Sequence, residues 1–163
     1  METECPRAPK IGIPQNNPMT MEKKTVRRED ESILIEAQID SNNILIANWM
    51  GVNVPLEEVK MGCALLMEVF DKHGCRLLYN DNRQVSGSWD DSNEWLAEVF
   101  FPEAISKGLR RMAHVLSDDL FTELSAEFMA ENLETVAASP DVFQVRLFRD
   151  GNEALQWLRR QAV

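Results

Sequence analysis

From Ser32 to the end of this chain, apolar runs of strand length alternate with stretches whose apolar residues recur every three or four positions. That alternation constrains the fold more than any other feature, because the two spacings belong to strands and to amphipathic helices respectively. "SILIEAQIDSNNILIANWMG" holds two β-prone runs separated by Asp40-Ser41-Asn42-Asn43, residue types that favour a tight reversal and predict an antiparallel hairpin. Leu56, Val59, Cys63, Leu66 and Phe70 then line one face of a helix that Gly74 can cap. "CRLLYND" reads as a short apolar strand that opens into a loop over Asp81 to Asp91. Asp91 and Glu94 stand at capping-box spacing before a second helix, which Pro102 interrupts. "LRRMAHVL" is the next strand, and Ser117, Asp118 and Asp119 can cap the helical segment after it. That segment, from Leu120 to Ala138, is helical in composition, yet Phe121, Leu124, Phe128, Leu133 and Val136 drift in phase, which suits two shorter helices. "VFQVRLF" is the last strand, and Asp150 with Glu153 repeats the capping-box spacing before a closing helix. The order β-β-α-β-α-β-α-β-α predicts an α/β fold with parallel crossovers and helices packed on a central sheet.

Residues 1–30 differ from the rest. They hold four of the seven prolines and no sustained apolar periodicity, so they are expected to form a flexible N-terminal tail, with Met1, Met19 and Met21 all candidate starts. Residues 31–163 are expected to form a single domain, which the 44% hydrophobic content can supply with a core. The formal net charge of −10 works against nucleic acid and anionic membrane surfaces. Three cysteines without close pairing, no secretory signal pattern and no membrane-length apolar run point to a cytoplasmic protein without a membrane span.

Four stretches resemble one family: "ILIANWMGVNVPLEEV", "LLYNDNR", "PEAISKGLRRMAHVLSD" and "VRLFRDGNEALQWL". Together they resemble the SpoIIAA-like family of the STAS superfamily, often labelled STAS/SEC14-like, over roughly residues 31–163. The resemblance implies an N-terminal β-hairpin leading into a mostly parallel four- or five-stranded sheet flanked by helices, in a bacterial protein. Better-understood relatives are anti-sigma-factor antagonists that bind a kinase and are switched by phosphorylation of a serine in an Asp-Ser-x-Gly pattern. Here the corresponding stretch is "NDNRQVSGSW", with Ser86 and Ser88 displaced from Asp81, so the switch does not carry over to a matching residue. An acceptor role for Asp81 as in receiver domains also fails, since the acidic pair and the lysine such a site requires are replaced by Asn42-Asn43 and Arg149.

A parallel sheet gathers four loops at the strand carboxyl ends, where α/β proteins usually bind ligands. Asp81, Asp90, Asp91, Asp118, Asp119 and Asp150 crowd that rim against Arg83 and Arg149, which disfavours a phosphate-rich ligand and suits a cation or a basic protein surface. Most of these aspartates are expected to cap helices. Within the rim, Asp81, Arg83, Ser86, Ser88 and Trp89 form the candidate partner-binding loop, with Trp89 either an aromatic anchor or folded back over the core. Cys63 and His114 are expected to be structural, and His73 with Cys75 lacks metal-ligand spacing. The cluster Lys107, Arg110 and Arg111 lacks the interleaved aromatics of a nucleic-acid site. No phosphate-binding glycine motif and no nucleophile–base–orienter set is present, so no cofactor, metal or catalytic residue is assigned.

The reading that results is a non-enzymatic regulatory module that binds a protein partner through the loops at the carboxyl ends of the strands. A carrier or sensor of a small apolar, lipid-like ligand is the alternative, and it requires a cavity between helices and sheet.

Overall fold

A computed structural model describes residues 21–161. Its sheet has six strands in sequence order: β1 (Met21–Arg27), β2 (Ile33–Ile39), β3 (Ile44–Val52), β4 (Leu77–Ser86), β5 (Arg111–Val115) and β6 (Gln144–Phe148). The pairs β1/β2 and β2/β3 are antiparallel, and β3/β4, β4/β5 and β5/β6 are parallel. The α/β class and the mostly parallel sheet therefore agree with expectation, whereas the strand count exceeds it. The additional strand, β1, lies in the segment read as a tail; residues 1–20 of that segment lie outside the described residues. A tail reading fails for Met21–Arg27 because pairing with β2 satisfies its backbone without needing a strong apolar pattern.

The β2–β3 hairpin closes through Asp40, whose carboxylate accepts from the backbone N–H of Asn42 and Ile44, with Asn43 at φ 61°. Arg28 ties the turn after β1 to the rest: it donates to the carbonyls of Ile33 and Met50 and pairs with Glu58 at 2.8 Å. Helix α1 (Leu56–His73) buries Val59, Cys63, Leu66 and Phe70, and left-handed Gly74 ends it by donating to the Phe70 carbonyl.

After β4 comes a 3-10 turn (Asp90–Ser92), then α2 (Asn93–Trp95), a π-helical stretch (Leu96–Phe100) and α3 (Phe101–Ser106). Pro102 does not stop this helix. It has no N–H to offer the Glu98 carbonyl and its ring crowds that group, and the chain responds with a wider turn in which Phe101 N–H reaches the Leu96 carbonyl five residues back. The expected capping box at Asp91 and Glu94 does not form, since no side chain caps this helix start. Helix α4 (Leu120–Val136) is a single helix rather than two, and α5 (Gly151–Gln161) closes the described chain. Before α5, Asp150 accepts from Asn152 N–H, a local turn instead of a capping box with Glu153.

Side-chain alternation divides the core between the two sheet faces. Leu45, Trp49, Leu78 and Met112 point with α1, α3 and α4 into the larger cluster, while Ile44, Leu77, Tyr79, Ala113 and Val115 pack on α5 through Ala154, Trp157 and Leu158.

Candidate functional site

The carboxyl-end rim differs from the expected loop in one decisive respect. β4 does not end near Asp81 but continues to Ser86, because β3 is long enough to pair with it as far as Val52 and Ser86. Backbone pairing with a long neighbour holds polar residues in a strand as readily as apolar ones. The five candidate residues consequently separate. Asp81 and Arg83 project to the α5 face, where the guanidinium donates to the carboxylate (2.7 Å for the shortest contact) and to the Tyr79 hydroxyl. Burial opposes ionisation of Asp81, but the Arg83 bonds outweigh it and hold the carboxyl below its usual range. Gly151 fits against this cluster because a Cβ there would lie 2.6 Å from the Tyr79 hydroxyl. Ser86 is the last residue of β4, and its carbonyl accepts from Asn53 N–H.

Gly87, Ser88 and Trp89 turn to the opposite face and clasp the start of α4. Gly87 N–H donates to Asp119, the Thr122 hydroxyl donates to the Gly87 carbonyl, and Trp89 N–H donates to the Ser125 hydroxyl. Asp119 is the N-cap of α4; the Thr122 N–H bond leads the interactions that hold its carboxyl below the usual range. Trp89 is only 7% exposed, so of the two expected placements it adopts the folded-back one and offers no anchor to a partner. Of the six rim aspartates, Asp81 pairs with Arg83 and only Asp119 and Asp150 accept from the N–H groups of a helix start, so capping accounts for fewer of them than expected.

A polar seam crosses the larger core. Trp49 Nε1–H donates to Asn80 Oδ1 at 2.7 Å, and Asn80 Nδ2 lies 3.0 Å from His114 Nδ1. With its oxygen occupied by Trp49, Asn80 presents its N–H to that imidazole, which places the histidine proton on Nε2. Complete burial pushes His114 down to about 4, so it is neutral. A cavity of about 60 Å³ lies beside the seam, lined by Trp49, Asn80, Asn82, Trp89, Phe100 and Met129 among others. At roughly 30 Å³ per liquid water it has room for about two. Cys63 lines it too, but burial pushes the thiols of both Cys63 and Cys75 up, Cys75 to about 11, which removes the nucleophilic thiolate at neutral pH. Among the described residues, no three histidine, cysteine or acidic side chains are grouped to hold a metal, and no helix is long and apolar enough to cross a membrane.

The surface feature that sequence reasoning missed is the outer face of α4. Leu120, Phe121, Leu124 and Phe128 are 62%, 61%, 37% and 49% exposed. At 3.6 residues per turn they fall within an arc of about 100°. The opposite side of the same helix is buried through Thr122, Ser125, Ala126, Met129 and Leu133. The stripe begins at the carboxyl-end rim and runs away from it for two turns. Its signal was present in the sequence as the phase drift of apolar residues in this segment.

No family model, curated protein or solved structure matches the chain.

Proposed function

We propose that this chain is a non-enzymatic, SpoIIAA-like module of the STAS type that binds a helix of a partner protein on the outer face of α4. The observation that carries this reading is the four large apolar side chains side by side on an otherwise acidic surface. Isolated exposed apolar residues are ordinary, but a contiguous patch marks an interaction site. The spacing of Phe121, Leu124 and Phe128, three and then four residues, is the spacing by which one helix meets another. The docking surface therefore starts at the strand carboxyl ends but is carried by α4, with Trp89 supporting it from inside.

The cavity beside the seam, about 60 Å³, is several times smaller than the roughly 300–1,000 Å³ that enclose drug-sized ligands. A wider groove of about 430 Å³ runs between α1 and the α2–α3 stretch, lined by Met67, Trp95, Val99 and Phe100 among others.

Photo-crosslinking tests the docking surface. A benzoylphenylalanine placed at Phe121 in the native host should give one reproducible protein adduct that is missing when the probe is placed at Met61, which is 43% exposed on α1. The same adducts from both positions, or none from Phe121, refute the assignment.

A further inference from the structure

We infer that the segment docking on α4 is a basic amphipathic helix, with an apolar face for the Leu120–Phe128 stripe and lysine or arginine on its flanks. This rests on the reading of α4 as the docking surface and adds the chemistry of its occupant. Helix α4 carries Glu123, Glu127, Glu131 and Glu134 and not one basic residue. Glu123 is engaged by Arg149 at 2.6 Å. Glu127, Glu131 and Glu134 are exposed and lie along one shoulder of the apolar stripe when the helix is turned at 100° per residue. Asp118 adds a further carboxylate just before the helix.

This arrangement selects among occupants. A second copy packing symmetrically through the same face would bring glutamates against glutamates, since an isologous contact meets its own surface. An anionic membrane would be repelled by the same carboxylates. A partner that brings lysine or arginine to the shoulder and leucine or phenylalanine to the stripe satisfies both features at once, with charge guiding encounter and apolar contact retaining the complex. From Leu120 to Phe128 the stripe rises about 12 Å, so the partner helix needs about three turns to cover it.

The test uses three synthetic fluorescent peptides of about five turns each: an amphipathic leucine–lysine helix, a scramble of the same composition with no apolar face, and a leucine–glutamate helix. Binding is read by anisotropy against the wild-type chain, a Phe121→Ser/Phe128→Ser variant and a Glu127→Lys/Glu131→Lys variant, each checked for an unchanged urea midpoint. The leucine–lysine helix should bind the wild type at least ~30-fold tighter than the scramble, one hot-spot contact's worth, and should lose that affinity with added salt. The Phe variant should lose it altogether, and the charge-reversed variant should prefer the leucine–glutamate helix.

If the Phe variant loses binding while charge reversal changes nothing, the docking surface stands and the basic partner falls. If the Phe variant binds as well as wild type, the docking surface itself falls. Equal binding of helix and scramble reduces the effect to charge alone and overturns the inference. So does sedimentation showing a dimer that the Phe variant abolishes, or binding to phosphatidylglycerol vesicles that depends on the same two residues.

Discussion

Gly62→Ala is expected to destabilise the protein, although the same change on an open helix would stabilise it. Gly62 lies within α1, where glycine costs up to about 1 kcal/mol relative to alanine. What requires it is Trp49, since a Cβ at position 62 would stand 2.3 Å from Cη2 and 2.5 Å from Cζ3 of the indole. Ordinary carbon contacts begin near ~3.5 Å, so one partner must move by about an ångström. The indole is not free to do so: its Nε1–H is held by Asn80 Oδ1, and Asn80 in turn holds His114. Overpacking a core costs about 1–3 kcal/mol, and breaking a buried hydrogen bond costs a similar amount. Set against the ~1 kcal/mol helix gain, the net loss comes to about 2 kcal/mol, or roughly 4–8 °C in Tm for a domain of this size. Urea unfolding followed by circular dichroism measures it. Repeating the substitution in a Trp49→Phe background, where the six-membered ring over Gly62 is gone, should turn the effect neutral or stabilising. A stabilised single variant, or an equal loss in both backgrounds, refutes the steric argument. The cavity is the physical escape route: if the indole swings into it, the loss shrinks and the Trp49 Nε1–H resonance moves as its bond to Asn80 breaks.

Gly87→Ala should cost about 2 kcal/mol or more, because a positive φ of 82° strains any L side chain and the new Cβ would fall 2.0 Å from Asn53 Oδ1; an unchanged urea midpoint would count against it. Ser125→Ala leaves the buried Trp89 N–H without its acceptor and should lose about 1–3 kcal/mol, with faster hydrogen exchange in the first turns of α4 as the second readout. His114 sets a pH dependence. It is neutral when folded, with its pKa pushed down to about 4 by burial, whereas the unfolded chain takes up its proton near ~6.5. The unfolded state therefore binds more protons between those values, so stability is full above pH ~6.5 and falls by up to about 3 kcal/mol as pH drops towards 4. Asp81 and Asp119, both held below the usual carboxylate range, add their losses at lower pH. His114→Gln should flatten the upper limb in pH-resolved urea titrations, and an undiminished slope would assign it to another group.

The elements whose boundaries depend on local chemistry were legible in the sequence. Asp40 closes its hairpin through its own carboxylate, Gly74 takes the left-handed turn its missing Cβ permits, and α1 buries the stripe its spacing marks. What was not legible depended on partners distant in the chain. β4 continues past Asp81 because β3 lies beside it as far as Val52. Trp89, flanked by polar neighbours, has the local signature of a loop residue, but its burial is decided by Ser125, 36 residues away. The π-helical stretch arises from Pro102, whose presence signals a disturbance without saying whether the helix stops or widens. Among the candidate site residues, the five proposed by proximity in sequence were separated by the turn at Gly87 that ends β4, because Asp81 and Arg83 point to α5 while Trp89 turns towards α4.

Helix α4 explains why the apolar pattern was ambiguous, and the same ambiguity underlies the docking face proposed for it. A helix with one covered face shows one apolar stripe in phase; this one shows two, so its periodicity drifts. Its inward face is comparatively poor in large apolar groups, with Ala126, Met129 and Leu133 joined by Thr122 and Ser125. Such a face would hold the helix weakly by apolar burial alone. The deficit is offset by polar attachments to the end of β4 and the turn beyond it: Asp119 to Gly87, Thr122 to Gly87, Ser125 to Trp89, and the Asn93 amide to the Ser125 carbonyl. These bonds fix α4 without consuming Phe121, Leu124 or Phe128. The large apolar side chains are thereby left outside, on a helix rigid enough to present them. An exposed stripe of this kind invites self-association in a neutral protein. Four glutamates on the same helix restrain it, and the restraint that keeps copies of this chain apart is also the charge that a basic partner can use.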